Sequence, residues 1–404
     1  MFFPKGIIAQ SAEAKQHGKT ANATIGMTVI DGAPAILPAV HKTAPSFTSA
    51  ELVAYAPTAG IPALRSLWKD TLFVKNPSLQ GKRFSLPVAV PGLTAGISAL
   101  ADLFLDEGTT LLVGDPSWDN YSLIVETRRN ATLRQFPMFA DGGFNLAAFE
   151  AAVADEAKRG FVRVLLNFPQ NPSGYSPTTA EAATICKILR AQADAGVKLL
   201  VCCDDAYFGL NYEAGISPES LFAELCDASE NLLAVKIDGP TKEDFVWGFR
   251  CGFLTFGCKG MNDAQYDALV KKLMGLIRSS VSCSSTPQQS MLLRAMQDEH
   301  IEAEKAALRA LLEKRYKLVR AFVDSHKSRA LEPLPFNSGY FMSFALHDVD
   351  AETLRKRLLT EKGIGTIAID SKTLRVAFSS LDEDKIEFVY TTIYAEAEAL
   401  LDAA

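Results

Sequence analysis

No stretch of about 18 uninterrupted apolar residues occurs in the 404-residue chain, so no membrane-spanning helix is expected. No basic block offsets the net charge of −6, which argues against a general nucleic-acid binder. No short repeat or low-complexity segment stands out. The start, Met1-Phe2-Phe3-Pro4-Lys5-Gly6-Ile7-Ile8, lacks the charged and then apolar order of a signal peptide, so none is expected. Among the seven cysteines (186, 202, 203, 226, 251, 258 and 283) no two form a C-x-x-C pair. The one close pair, Cys202–Cys203, lies in an apolar run that reads as a buried strand. Adjacent side chains on a strand point to opposite faces, which disfavours a mutual disulfide. The cysteines read as reduced core thiols of a cytoplasmic protein, not as a redox centre or a metal site.

What is present is ordinary soluble-protein composition, 48% apolar and 22% charged, in a chain long enough for about two or three domains. From about residue 90 to 260, short apolar runs alternate with helical patterns. Leu111–Val113, Val162–Leu166, Lys198–Cys203, Leu232–Ile237 and Gly252–Phe256 read as buried strands. Leu146–Arg159 and Thr179–Ala195 read as helices between them. This alternation predicts an α/β domain with a mostly parallel mixed sheet flanked by helices. In such sheets ligands gather beyond the carboxyl ends of the strands.

Past residue 287 the pattern changes. A long helix is expected from Gln288 to His326, then strands at Tyr340–Phe344 and Leu374–Phe378, and a closing helix from about Asp382 to Leu401. The predicted organisation is an N-terminal arm (1–25), a large domain (46–290), and a smaller α+β domain from 26–45 and 291–404.

Three polar constellations end three consecutive apolar runs. Asn167-Phe168-Pro169-Gln170-Asn171-Pro172-Ser173-Gly174 follows the first, with a Pro and Gly tight turn. Asp204-Asp205-Ala206-Tyr207 closes the second. Asp238-Gly239-Pro240-Thr241-Lys242 follows the third, with Arg250 eight residues beyond the lysine. A loop lysine taken alone is ordinarily just solvated, and acids at a strand end often cap the next helix. Their grouping at successive strand ends is where an α/β sheet would assemble a site.

These residues resemble the class I/II aminotransferases of the aspartate aminotransferase type, enzymes of fold type I that use pyridoxal 5′-phosphate (PLP). N-P-[ST]-G appears as Asn171-Pro172-Ser173-Gly174, D-x-[AV]-Y as Asp204 to Tyr207, and [ST]-K-x7-R as Thr241-Lys242 to Arg250. P-[ST]-W-x-N appears as Pro116-Ser117-Trp118-Asp119-Asn120. The resemblance spans roughly residues 22 to 400, with the motifs in family order. It implies a Schiff base between Lys242 and the cofactor, and proton transfer by the same amine once its pKa is lowered. Asp204 would pair with the pyridine nitrogen, Asn171 and Tyr207 with the ring oxygen, and Trp118 would stack on the ring. Arg250 and a helix start at Thr94, Ala95 and Gly96 would hold the phosphate. Tyr55 would reach the phosphate of the other subunit, which implies a homodimer with shared active sites. Arg375 would grip the substrate α-carboxylate, next to Asn171 and Trp118.

Two positions depart from the pattern. The family often has serine where Gly239 stands, so a phosphate contact is lost or replaced, with Thr94 as a candidate. Arg278 matches an arginine that binds a distal carboxylate in the neighbouring subunit, yet the loop after it, Ser282-Cys283-Ser284-Ser285, does not match. Arg278 is therefore a distal-carboxylate ligand or an ordinary interface arginine. Aspartate, glutamate or aromatic amino acids are the expected donors and 2-oxoglutarate the expected acceptor. The competing readings are a β-lyase, decarboxylase or racemase on the same fold, a non-catalytic PLP-binding regulator, and a protein that has lost its site.

Overall fold

The computed structural model describes residues 7–43 and 46–403. Its large sheet has seven strands: Val88–Val90 (β1), Thr110–Asp115 (β2), Thr132–Pro137 (β3), Phe161–Asn167 (β4), Lys198–Asp204 (β5), Leu232–Asp238 (β6) and Gly252–Gly257 (β7). Their order is β1-β7-β6-β5-β4-β2-β3. Pairs β2–β3, β2–β4, β4–β5 and β5–β6 are parallel, while β7 runs antiparallel to β6 and β1. The five apolar runs read as strands lie within β2, β4, β5, β6 and β7.

Both faces of the sheet are covered, which is why its strands are nearly continuous apolar runs. Leu200 and Cys202 of β5 share one core with Ile97 of helix Leu93–Phe104. Leu199, Val201 and Cys203 share the other with Ile185 and Leu189 of helix Thr179–Asp194. Cys202 and Cys203 thus face opposite cores, and all seven cysteines are free thiols. In register, Asp204 stands beside Asn167 on one side and Ile237 on the other. The ends of β4 and β5 are therefore level and β6 runs one residue further, so their polar final residues lie at one edge of the sheet.

A second sheet is antiparallel throughout, built from Leu331–Pro333 (β8), Met342–Leu346 (β9), Ile367–Ala368 (β10) and Thr373–Val376 (β11) in the order β8-β9-β11-β10. Helices Ile301–Ser325, Ala351–Lys362 and Glu383–Asp402 pack on it through Val319, Leu354, Leu358, Val389 and Ile393.

One expectation is corrected. The single helix from Gln288 to His326 is two helices, Thr286–Met296 and Ile301–Ser325. Asp298 makes the break: its carboxylate accepts the His300 N–H at 3.0 Å and its carbonyl the Ile301 N–H at 3.2 Å. Such local bonds compete with the helical ladder. The described part of 1–25 lies docked on the second sheet's domain. Ile7–His17 is a helix, and Ala21–Asn22 pairs in parallel with Ile364–Gly365. Gln10 donates to the Ala368 carbonyl at 2.9 Å and accepts its N–H at 2.8 Å. Polar residues dominate this helix, and what fixes it is contact with a segment some 350 positions away.

Candidate active site

The site begins where β4 and β5 end. Asn167 donates from Nδ2 to the Asp204 carbonyl at 2.8 Å, and its Oδ1 accepts the Asn171 N–H at 2.8 Å. Asp204 is buried, and its carboxylate accepts from Tyr121 Oη at 2.5 Å and from the Ala206 N–H at 3.3 Å. Burial pushes its pKa up to about 6, against the opposing pull of the Tyr121 hydrogen bond and the Lys242 charge. An acid in that state ionises readily once a cation is placed against it.

Lys242 sits one strand over, in the short helix Pro240–Glu243 after β6. Gly239 makes the join. A Cβ there would lie 2.9 Å from Gly252 Cα and 3.0 Å from the Cys251 carbonyl oxygen, so β7 leaves no room for a side chain. The serine common in the family is excluded by this backbone approach. The Lys242 ammonium lies 4.8 Å over the Tyr207 ring. Burial lowers its pKa from 10.5 to about 8, with Asp204 opposing and Arg250 assisting. Only the neutral amine is nucleophilic. Capture of a small aldehyde by Lys242 is therefore expected to rise with pH through a midpoint near 8 rather than 10.5. Borohydride reduction and peptide mapping across a pH series would measure it, and a midpoint near the ordinary lysine value would refute the lowered pKa.

Facing the lysine is a place for an anion. Helix Leu93–Phe104 starts at Gly92 with no side-chain cap, so its first N–H groups lack intrahelical partners. Gly92 has φ +86, and a Cβ on it would stand 2.5 Å from Arg250 Nη2. The absent side chain is what lets the Arg250 guanidinium lie against the helix start. Leu93 and Thr94 line the cleft and Ala95 is half-buried. Gly96 turns to the sheet instead, 3.2 Å from Val90 and Leu254 side chains at its Cβ position, and its N–H bonds the Gly92 carbonyl. Leu93, Thr94, Trp118, Asn171, Asp204, Tyr207, Lys242 and Arg250 line one solvent-open cleft of about 160 Å³.

The Asn171–Gly174 turn joins the two sheets at this cleft. Gly174, at φ +80, has its Cβ position 2.0 Å from the Phe341 carbonyl oxygen, and no side chain fits. Its own carbonyl accepts the Asn337 and Ser338 N–H groups at 2.9 and 2.8 Å. Arg375, on β11, is buried and reaches back to the same turn. It donates to Asn171 Oδ1 at 2.9 Å and to the Thr24 carbonyl at 3.1 Å, over the Phe341 ring at 4.3 Å. Its Nε has no hydrogen-bond partner among the described residues. Burial lowers its pKa only to about 10, so it remains a cation at neutral pH. A buried guanidinium with a spare donor and no bonded carboxylate is suited to an incoming one.

Trp118 is half-buried, edge-on to Tyr121 at 5.4 Å. Tyr55 and Arg278 do not line this cleft. Tyr55 is 91% exposed, and Arg278 donates to the Ser282 hydroxyl on an exposed helix end. Sequence reasoning missed Tyr121, Thr24 and Tyr340, whose hydroxyl donates to the Lys242 carbonyl at 2.9 Å. Tyr121 lies three residues after Trp118, a helical spacing that places both on one face of the turn after β2 and was a usable signal.

The chain resembles known proteins along most of its length. In structure it superposes on an aminotransferase from Anaerococcus prevotii with a TM-score of 0.87 and 24% identity, covering 99% of this chain and 97% of that one. It is 28% identical to an LL-diaminopimelate aminotransferase of Desulforudis audaxviator over 49% of this chain and 47% of the relative. It is also 28% identical to an aspartate aminotransferase of Rhizobium meliloti over 48% of this chain and 42% of the relative. These two matches span less than half of each relative's length. The α/β architecture expected for fold type I is the one found. The profile of the family "Aminotransferase class I and II" matches residues 28–393, which takes in every motif at this cleft, and the chain belongs to that family.

Proposed function

We propose that this protein is a PLP-dependent aminotransferase. The observation that carries the reading is the convergence in one cleft of a lysine with a lowered pKa, a buried aspartate and an arginine-flanked helix start, with a buried free-donor arginine bonded behind the cleft residue Asn171. The fit to the cofactor is chemical. Asp204 would meet the ring nitrogen, Asn171 and Tyr207 the ring oxygen, and Arg250 with the helix start the phosphate. PLP supplies an electron sink for the carbon that loses its proton. Lys242 would hold the cofactor, and its amine would carry the proton. Arg375 holds the donor's α-carboxylate and so fixes which bond faces Lys242.

The proposed donors are aspartate, glutamate or aromatic amino acids and the acceptor is 2-oxoglutarate. A homodimer with shared sites completes the reading. Tyr55 follows helix Ser49–Val53, which docks on helix Thr286–Met296 through Thr286 and Ser290. Leu52, Val53, Tyr55 and Val281 are exposed large apolar side chains on the segments flanking that helix, and burying them against a second copy would be favourable. Arg278 and Tyr55 would then serve the neighbour's cleft.

A donor screen against 2-oxoglutarate, following ammonia and carbon dioxide release in parallel, tests the reading. Amino-group transfer without either gas supports it; stoichiometric release of ammonia or carbon dioxide replaces it with lyase or decarboxylase chemistry. Gly92→Ala supplies a binding test. Its methyl strains φ +86 and collides with Arg250. Displacing Arg250 from the helix start removes a charged hydrogen bond worth about 1.5–3 kcal/mol, which predicts roughly 10- to 150-fold weaker PLP binding by fluorescence titration, with unchanged secondary structure. Unaltered affinity would remove the helix start from the phosphate site.

A further inference from the structure

Lys242 is carried by a helix of only four residues, Pro240–Glu243, with no side-chain cap at its start. So short a helix cannot hold itself. Three contacts from three separate elements hold it. Glu243 pairs with Lys75, in the last turn of helix Pro62–Lys75, at 2.8 Å. Asp244 pairs with Lys305, in the first turns of helix Ile301–Ser325, at 2.8 Å. The Lys242 carbonyl accepts the hydroxyl of Tyr340, which precedes β9. The Lys305 and Asp244 side chains are 14% and 7% exposed, so this pair is not a screened surface contact.

We propose that Lys305 is a positioning residue for Lys242, holding the lysine's helix against the helix that leads into the second sheet. The inference rests on Lys242 as the cofactor-bearing residue. Lys305 touches neither substrate nor cofactor; it acts through Asp244. Its other charged neighbours are Glu302, on its own helix, and Glu243. Asp244 also faces Glu243 and Lys75, and behind it Lys236 pairs with Asp205 and Asp238. Lys242 itself feels Asp204 and Arg250. In this set, loss of Lys305 leaves Asp244, two residues along the chain from Lys242, with Lys75 as its remaining opposite charge, and loss of Asp244 leaves Lys305 to Glu302 and Glu243.

The test is the pH midpoint of the visible absorbance band of the PLP-loaded protein, with kcat and KM measured separately. Lys305→Met is expected to raise the midpoint by about half a unit, since removing a cation beyond the nearest charges of Lys242 favours the protonated form. Asp244→Asn is expected to lower it by a similar amount, and Lys305→Arg to restore it. In Lys305→Met, kcat is expected to fall about tenfold with donor KM within about twofold. A purely structural role would lower thermal stability in both variants without moving the midpoint in opposite directions, and that result overturns the proposal. If Lys305→Met fails to fold, Asp244→Asn decides alone: a downward shift supports it and an unmoved midpoint overturns it. Borohydride reduction of the unaltered loaded protein separates the two ideas. Cofactor absent from Lys242 removes the underlying reading, whereas cofactor on Lys242 with unmoved midpoints overturns only the role of Lys305.

Discussion

Lys242→Ala is expected to abolish turnover and leave the fold in place. The side chain is half-buried, and its ammonium meets an aromatic face and open cleft rather than a bonded carboxylate. Removing a partly desolvated cation costs the fold little, so the unliganded melting temperature should move by only a few degrees. The chemistry loses far more. Loss of the proton carrier alone costs on the order of 10²–10⁴ in rate, and loss of covalent cofactor attachment adds to it. Asp204, Asn171, Tyr207 and Arg250 all remain, so PLP should still bind, more weakly and without a covalent link. The measurements are kcat/KM with aspartate and 2-oxoglutarate, a thermal melt, and borohydride fixation followed by peptide mapping. Normal turnover by the variant, or fixation at another lysine in the unaltered protein, would dismiss the mechanism.

The large sheet was legible because its strands are buried on both faces and read as apolar runs ended by polar turns. β4, β5 and β6 each finish on the residue that sequence reasoning singled out or on its neighbour: Asn167, Asp204 and Asp238. What sequence could not give is register. Asp204 lies level with Asn167, and that alignment brings the Asn171 turn and Asp204 to one cleft. Tyr121 was missed because its partner Asp204 is 83 residues away and the pair exists only when β2 and β5 lie in one sheet. Lys236 broke the apolar pattern of β6 with no visible reason. The reason is Asp205, on the adjacent strand end, with the ammonium also over the Phe208 ring at 4.4 Å. Thr24 was hidden because it serves through a backbone carbonyl, which any residue type could supply. Gly239 was read as a missing contact. The structure shows it as a close approach of two strands, a property of the backbone opposite and not of its own sequence.

Arg375→Ala is expected to impair every donor that carries an α-carboxylate, and to do so evenly across side chains. The guanidinium already spends Nη1 on Asn171 and Nη2 on the Thr24 carbonyl, while Nε has no partner among the described residues. Truncating one side of a desolvated charge pair costs about 2–5 kcal/mol, or roughly 30- to several-thousand-fold in kcat/KM. Arg375→Lys keeps the charge and loses the fork, so it should fall between. An amine that lacks the carboxylate should be nearly indifferent to either change, and that contrast distinguishes a carboxylate clamp from a general loss of site geometry. Because the pKa of Arg375 is lowered only to about 10, donor binding through this residue should be flat with pH from 6 to 9. The unliganded protein should behave in the opposite sense. A buried guanidinium without a bonded acid is a cost to folding, so Arg375→Met, which keeps much of the volume, is expected to raise the unliganded melting temperature while lowering activity. A melt and a donor series on the same variant measure both. Equal loss for donors with and without the carboxylate, together with a lower melting temperature, would show that Arg375 holds the fold and not the substrate.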